Sequence, residues 1–444
     1  MSRQLDILNG SIWDKALRFA IPLALTGMLQ QVFSATDVAI VGRFVGANAM
    51  AAVGSNAPLV SLLINTFVGI ALGANVVIAN YIGQGDYERV EKATHTSLVL
   101  AVICGFIVAA GGIAAAGPAI DILGVPEEVA GYSRLYLRIF FSGAPFIMLY
   151  NFEAAIFRSI GKTQIPLLAL AIGGIFNVCC NLFFVLKLGM TVDGVAYATV
   201  IANIISSLIL MYFLLKENGP VRLSFRKLSV DRSIMLRILK IGVPSGLQSA
   251  VFSVSNLCVQ SAVNSLGAAV MAASSAAFNI EIFAYYIINA FGQTCVTFVG
   301  QNYGAGNNKR VRESFKQITI VSEIVTLIFM VILILAMEPL LGLFSKEPEI
   351  IALGVTRVKC LIYGEWINVF MENFSGVLRG IGRSMEPALV TLFAICGTRI
   401  VWVYTIFAHS RSWLILCIVY PISWVIAVVI LIALYIKMRR KYLC

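Results

Sequence analysis

An aspartate stands inside an apolar run near the start of the chain, where Asp37 closes the polar stretch Gln30-Gln31-Val32-Phe33-Ser34-Ala35-Thr36. A charge within hydrocarbon costs at least ~2.5 kcal/mol, so it needs a partner, an aqueous cavity or a function. Asp37 lies about five residues before the outer end of its span. Asn181 precedes the turn at 187–193 by about six residues, and Thr199 follows that turn by about six. At 1.5 Å per helical residue these positions share a layer roughly 9 Å below the outer end. Asn177 lies one turn deeper on the same face as Asn181. Four oxygen-bearing side chains in one layer make a site for a proton or a hard cation such as Na⁺. A second reading stands for Asn177, Asn181 and Thr199, namely hydrogen bonding across tightly packed helices. For Asp37 the cost of keeping a charge favours function.

The later half of the chain offers a second polar group: Glu281, Glu365, Glu372 and Arg399. Glu365 and Arg399 are each 17 residues from Gly382 at a hairpin turn, which puts them at one depth and predicts an ion pair. Its expected role is a structural clamp, with a proton relay as the second reading. Glu281, near mid-membrane, is expected either to meet a cationic substrate or to share Arg399. Arg399 reads as the one clear basic residue within a span. Phe278, Phe283, Tyr285, Tyr286 and Phe291 cluster on the same predicted helix as Glu281, either as a stacking wall for ligands or against lipid and neighbouring helices.

Such side chains must be carried by membrane helices. The chain has 444 residues, 59% hydrophobic and 12% charged, against about half and a quarter in soluble domains. Continuous apolar runs such as 98–116, 318–337 and 413–436 are long enough for helices to cross a core of ~30 Å. Spans of a β-barrel would be shorter and alternating. The fold class is therefore an all-α membrane protein with about twelve spans, at 16–42, 50–80, 94–116, 132–158, 163–187, 192–215, 237–263, 270–300, 314–337, 353–380, 384–408 and 411–436. Asp6, Asp14 and Asp37 do not fit a cleavable signal. The net charge of +11 is not a nucleic-acid signal. Lys and Arg favour alternate loops by roughly three to one, which places the protein in the cell membrane, an inner membrane where there are two, with both termini cytoplasmic. The densest basic stretch, 216–240, reads as a linker against anionic lipid headgroups. Nine scattered cysteines without a C-x-x-C pair predict neither a disulfide scaffold nor a zinc site. His95 reads as a solvated residue at a helix start.

The chain also repeats itself. At an offset of 221 residues Gly46 meets Gly267, Gly83 meets Gly304, Gly85 meets Gly306, Pro118 meets Pro339, Gly143 meets Gly364 and Pro166 meets Pro387. Arg158-Ser-Ile-Gly-Lys162 likewise meets Arg379-Gly-Ile-Gly-Arg383, and Pro22 meets Pro244 one residue out. Six spans per half make a parallel internal repeat, a transporter pattern. The expected division is an N-terminal lobe at 1–220, a cytoplasmic linker at 221–236 and a C-terminal lobe at 237–444. No charged ring or filter loop suggests a pore. Enzyme readings fail as well. Gly83-Gln-Gly85-Asp86 lies in a loop without a second aspartate motif, Gly161-Lys162-Thr163 lacks the earlier glycine and the strand of a P-loop, and no His-Glu-x-x-His occurs.

The paired Gly-rich turns (Gly83-Gln-Gly85-Asp86 and Gly300-Gln-Asn-Tyr-Gly304-Ala-Gly306), the two Arg-x-Ile-Gly-basic turns, Pro22 with Asp37, and Gly194-Val-Ala-Tyr-Ala-Thr199 resemble the MATE (multidrug and toxic compound extrusion) family along essentially the whole chain. The resemblance implies a secondary antiporter that switches between inward and outward states and expels amphiphilic, often cationic organic compounds in exchange for H⁺ or Na⁺. It implies no cofactor, no nucleic-acid partner, contact with membrane lipids, and a monomer. Asp37, Asn177, Asn181 and Thr199 match the cation-site pattern of the branch with a first-lobe site. That pattern has Asp where this chain has Asn181, which lowers the expected affinity for Na⁺. The major-facilitator loop motif is missing after the second span. Lipid-linked saccharide flippases are the alternative, but they are expected to line their cleft with several Arg and Lys.

Overall fold

The computed structural model describes residues 5–122 and 125–443, apart from the side chains of Ser55, Pro58 and Ile122; Cys444 lies outside the described residues. The helices are α1 (Trp13–Phe44), α2 (Ala47–Gln84), α3 (Tyr87–Ile122), α4 (Glu127–Ser142), α5 (Ala144–Ser159), α6 (Gln164–Leu182), α7 (Val192–Leu215), α8 (Arg232–Asn264), α9 (Ala268–Gly304), α10 (Asn308–Leu341), α11 (Pro348–Gly380), α12 (Met385–Ser410) and α13 (Trp413–Tyr442). Nine of them are long and apolar enough to cross a membrane, or ten with α4 and α5 taken as one span. The remaining two predicted spans, 237–263 and 353–380, are the long helices α8 and α11, whose polar side chains keep them below that threshold.

The predicted span 132–158 is a helix pair bent by 49° at Gly143, where Pro145 enters the first turn of α5. Proline has no N–H to continue the helical ladder. At the same bend a Cβ on Gly143 would lie 2.6 Å from a Val200 methyl, so only glycine lets α7 approach there. The 221-residue repeat extends to backbone conformation. Gly46 and Gly267 have φ of 131° and 100°, Gly85 and Gly306 of 71° and 70°, and Gly161 and Gly382 of 80° and 82°. Each pair ends or starts a helix in the left-handed region, which residues with a Cβ avoid.

The described chain forms two compact units. Unit 1 comprises Leu5 with 25–246, and unit 2 comprises 6–24 with 247–443. The opening turns of α8 therefore belong with the earlier helices. Ile234, Ile238 and Ile241 are buried there, and Gly242 and Gly246 meet Gly69, Gly73 and Thr66 of α2 backbone to backbone. Small residues one turn apart allow this close packing in lipid, where no hydrophobic force joins helices. The opening turns of α1 belong with the later helices, as Phe19 meets Phe298 edge to face at 5.7 Å. Ile7 and Ile12 are buried beside them, and Arg310 donates to the carbonyls of Ile7 and Gly10.

Residues 221–231, part of the expected linker at 221–236, lie against α3. Val221 and Leu223 are buried, Lys227 pairs with Glu91 at 2.6 Å, and the Asp231 amide donates to Thr96. His95, expected to be solvated, is 1% exposed beneath this segment and accepts the Ser224 amide at Nε2 while Nδ1 meets the Glu91 carbonyl. Helical periodicity located His95 at a helix start but could not show that a segment some 130 residues later covers it.

Candidate functional site

Unit 1 brings together the four side chains predicted from the sequence. Asp37 of α1 is 7% exposed. Its Oδ1 accepts from Asn181 Nδ2 at 2.6 Å and its Oδ2 from Thr199 Oγ1 at 3.2 Å. Asn181 also donates to Asn177 Oδ1 at 3.1 Å, and Asn177 Nδ2 reaches Thr199 Oγ1 at 3.4 Å. The cluster thus closes as a ring of one carboxylate, two amides and one hydroxyl.

Local sequence explains the approach of the helices. Gly174 faces the Phe33 ring of α1 and Gly173 faces Ala202 and Ser206 of α7, where any Cβ would collide. Asn177 and Asn181 follow Gly173 by one and two turns, so α6 turns both amides toward the helices it touches. The Thr199 hydroxyl also lies 3.0 Å from the Val195 carbonyl, and Asn203 donates to the Thr199 carbonyl at 2.8 Å. Asn181 Oδ1 is buried with no hydrogen-bond partner among the described residues. A buried carbonyl oxygen without a donor is costly, and a cation would satisfy it. Tyr136 of α4, which the sequence reading did not single out, is buried and close enough to interact electrostatically with Asp37.

In unit 2 the expected pair does not form. Arg399, wholly buried, donates to Asn256 at 3.0 Å and Ser423 at 3.3 Å and lies over the Tyr420 ring at 4.5 Å, while its Nη2 has no hydrogen-bond partner among the described residues. Glu365 instead accepts from Asn368 at 2.8 Å. Equal distance from Gly382 gave a common depth, but depth does not set direction. α12 runs as a π-helix over Thr391–Gly397, immediately before Arg399. A wider turn rotates all later side chains relative to a regular α-helix.

The partner of Glu281 is Arg357 of α11, which the sequence reading missed because it stands in the first turns of its span. Arg357 meets both carboxylate oxygens of Glu281 and donates to Ser274 at 2.7 Å. Glu281 is thus neither free for a ligand nor shared with Arg399, and Arg399 is not the only basic residue within a span. Glu372 lies 3.8 Å from Arg379. Of the aromatic cluster, Phe291 is buried, Phe283 and Tyr286 are half-buried, and Phe278 and Tyr285 are exposed.

Comparison with known proteins places this arrangement. The family model MatE matches twice, over residues 22–183 and 244–405, which are the two copies of the internal repeat. The chain is 26% identical over 435 residues to "Probable multidrug resistance protein YoeA" of Bacillus subtilis, covering 96% of this chain and 94% of that one. It is 26% identical over 400 residues to "Probable multidrug resistance protein NorM" of Thermotoga maritima, covering 88% and 84%. Among solved structures, the fold is similar to an outward-facing multidrug resistance MATE family transporter, with a TM-score of 0.90 at 24% identity over 100% of this chain and 99% of that one. It is also similar to MATE in complex with MaL6, with a TM-score of 0.91 at 23% identity over the same shares.

Proposed function

We propose, from the premise that the chain belongs to the MatE family of multi-pass membrane transporters, that it is a secondary antiporter exporting amphiphilic, often cationic organic compounds in exchange for H⁺ or Na⁺ by alternating access. The observation that carries the reading is the Asp37 ring. A carboxylate in a membrane helix, held by Asn181 and Thr199 and facing no Lys or Arg among the described residues, has no structural counter-ion there. A group of this kind can exchange a cation or a proton with the aqueous phase, which a clamp between two fixed charges cannot do. The names of the relatives, multidrug resistance and multidrug export proteins, support the class of exported compounds. The oxygens of Asp37, Asn177, Asn181 and Thr199 are the ones that would meet the ion. With one carboxylate, the site neutralises one positive charge, so a proton and a monovalent cation compete for it.

In the cycle, loading of Asp37 from outside neutralises the site, weakens its hold on a cationic compound and favours return to the inward-facing state. Both termini are assigned to the cytoplasm and the working unit to a monomer. The test is efflux of a lipophilic cation from proteoliposomes with a pH gradient and a Na⁺ gradient imposed separately. The wild-type chain should export against a concentration gradient under at least one of them. Asp37→Asn should reach the membrane and bind the compound yet fail to drive uphill efflux. Gradient-driven efflux by Asp37→Asn at the wild-type rate refutes the assignment.

A further inference from the structure

Glu153 of α5 has no role in the ring around Asp37, yet it is fully buried in the same unit. Its Oε2 accepts from Ser207 Oγ of α7 at 3.1 Å, and its Oε1 has no hydrogen-bond partner among the described residues. No ion pair satisfies it among the described residues. The helices around it supply little charge: α2 carries no Asp, Glu, Lys, Arg or His at all, and the charged residues of α3 gather at its two ends, Glu88 to His95 and Asp121. α7 offers the Ser207 hydroxyl. Among the described residues the titratable group that interacts with Glu153 is the Tyr150 phenol one turn away, which also interacts with Arg158 of α5 and whose hydroxyl meets the Pro166 carbonyl at 3.4 Å.

The packing of the repeat does not require this carboxyl. At the 221-residue offset that aligns the two halves here, Glu153 corresponds to Phe374. An apolar side chain therefore fills the equivalent place in the second half. Retaining a carboxyl with one donor and one bare oxygen, in a setting where unsatisfied polar groups are costly, calls for a role other than packing.

α7 connects it to the known cluster. Thr199 donates to Asp37, and Ser207, two turns later, donates to Glu153. Asn203 lies between them on the same helical stripe and donates back to the Thr199 carbonyl. The eight residues from Thr199 to Ser207 rise ~12 Å along the helix.

We propose that Glu153 is a second proton-binding carboxyl of unit 1, loaded and unloaded during transport and coupled through α7 to Asp37. The inference rests on the antiport reading above. Loading adds one proton to Oε1, the oxygen without a partner, while Oε2 keeps the hydrogen bond from Ser207. Unloading returns that proton to water and leaves the carboxylate held by Ser207. Taking the ~12 Å rise between the two α7 donors as the separation of the carboxyls they hold, and an effective dielectric of ~20, a charge on one carboxyl changes the proton affinity of the other by about tenfold. The two sites therefore load in sequence rather than independently.

The test uses the purified full chain with ethidium as the exported cation. Protons released on binding are counted with a pH-sensitive dye in weak buffer, and the carbonyl stretch of protonated carboxyl groups is followed by infrared difference spectroscopy across pH. Glu153→Gln should release fewer protons per ethidium than wild type and lose one carboxyl band. Asp37→Asn should leave the Glu153 band in place but lower its midpoint by about one pH unit. Ser207→Ala, which keeps the carboxyl and removes its donor, should move that midpoint upward and carry the pH profile of ethidium-linked proton release with it; a merely structural role would leave the release profile unmoved. Should Glu153→Gln fail to fold, an unmoved release profile in Ser207→Ala overturns the proposal by itself. Proton release lost in Asp37→Asn but unchanged in Glu153→Gln overturns the Glu153 assignment and leaves the antiport reading intact. Release absent from wild type overturns the Glu153 proposal and, of the antiport reading, the exchange for H⁺.

Discussion

Glu281→Gln and Glu365→Gln remove the same atom charge from neighbouring helices of unit 2, and the structure predicts opposite consequences. Arg357 is 6% exposed and its guanidinium meets both oxygens of Glu281. Without that carboxylate the cation keeps Ser274 and the face of Tyr420 at 5.7 Å, neither of which carries a charge. Removing one partner of a buried pair leaves the other uncompensated and costs about 3–5 kcal/mol. The two remaining contacts put the expected loss at the lower end, about 3 kcal/mol. Glu365 faces no cation among the described residues and has Asn368 as its donor at 2.8 Å. Gln at that position preserves an acceptor for Asn368 and relieves repulsion between Glu365 and Glu281, so its cost should stay below about 1 kcal/mol. The buried thiols Cys295, Cys396 and Cys417 report unfolding of this unit when they react with a thiol-activated dye during heating in detergent. Glu281→Gln should lower the transition by several degrees, and replacing Arg357 with Met in the same chain should restore part of the loss. Equal destabilisation by the two glutamine variants would refute this pairing and revive a Glu365–Arg399 clamp.

Three further outcomes follow from the geometry. Asn181→Asp adds a second carboxylate where the amide now donates to Asp37 at 2.6 Å, so Na⁺ should protect the variant against heating more strongly than wild type; no gain in Na⁺ protection counts against a cation site there. Gly73→Leu should abolish folded protein in the membrane, because even a Cβ would lie 2.8 Å from the Gly242 amide; wild-type yield would show that α2 and α8 can separate at no cost. Asp231 caps α8, accepting from the amides of Ile234 at 3.0 Å and Ser233 at 2.9 Å and from the Ser233 hydroxyl, and these bonds hold its carboxyl below the usual range. A depressed carboxyl contributes stability above the unfolded value of ~3.9 and loses it as pH falls through the folded value. Asp231→Ala should therefore lower stability by about 0.5–2 kcal/mol at neutral pH and by less in acid, measured by the same thermal assay.

The residue order alone determined the helical membrane class, the internal repeat and the layer of the Asp37 ring. These depend on quantities that run along the chain: continuous apolar length, a constant offset between glycines, and a fixed rise per residue. Asn177, Asn181 and Thr199 were legible because a short hairpin holds α6 beside α7 and leaves depth as the deciding variable. Tertiary structure decided which side chains face each other once helices from distant parts of the chain converge. The π-helical turns before Arg399 redirect it to Asn256 and Ser423, Arg357 takes Glu281, and residues 221–231 bury His95. It also decided that the first turns of α1 and of α8 each pack with the other half of the chain, because Phe19 fits against Phe298 and Gly242 fits against Gly73. Hydropathy and spacing measure depth, whereas partnership depends on rotation about each helix axis and on close backbone contact, and both emerge only when the helices pack.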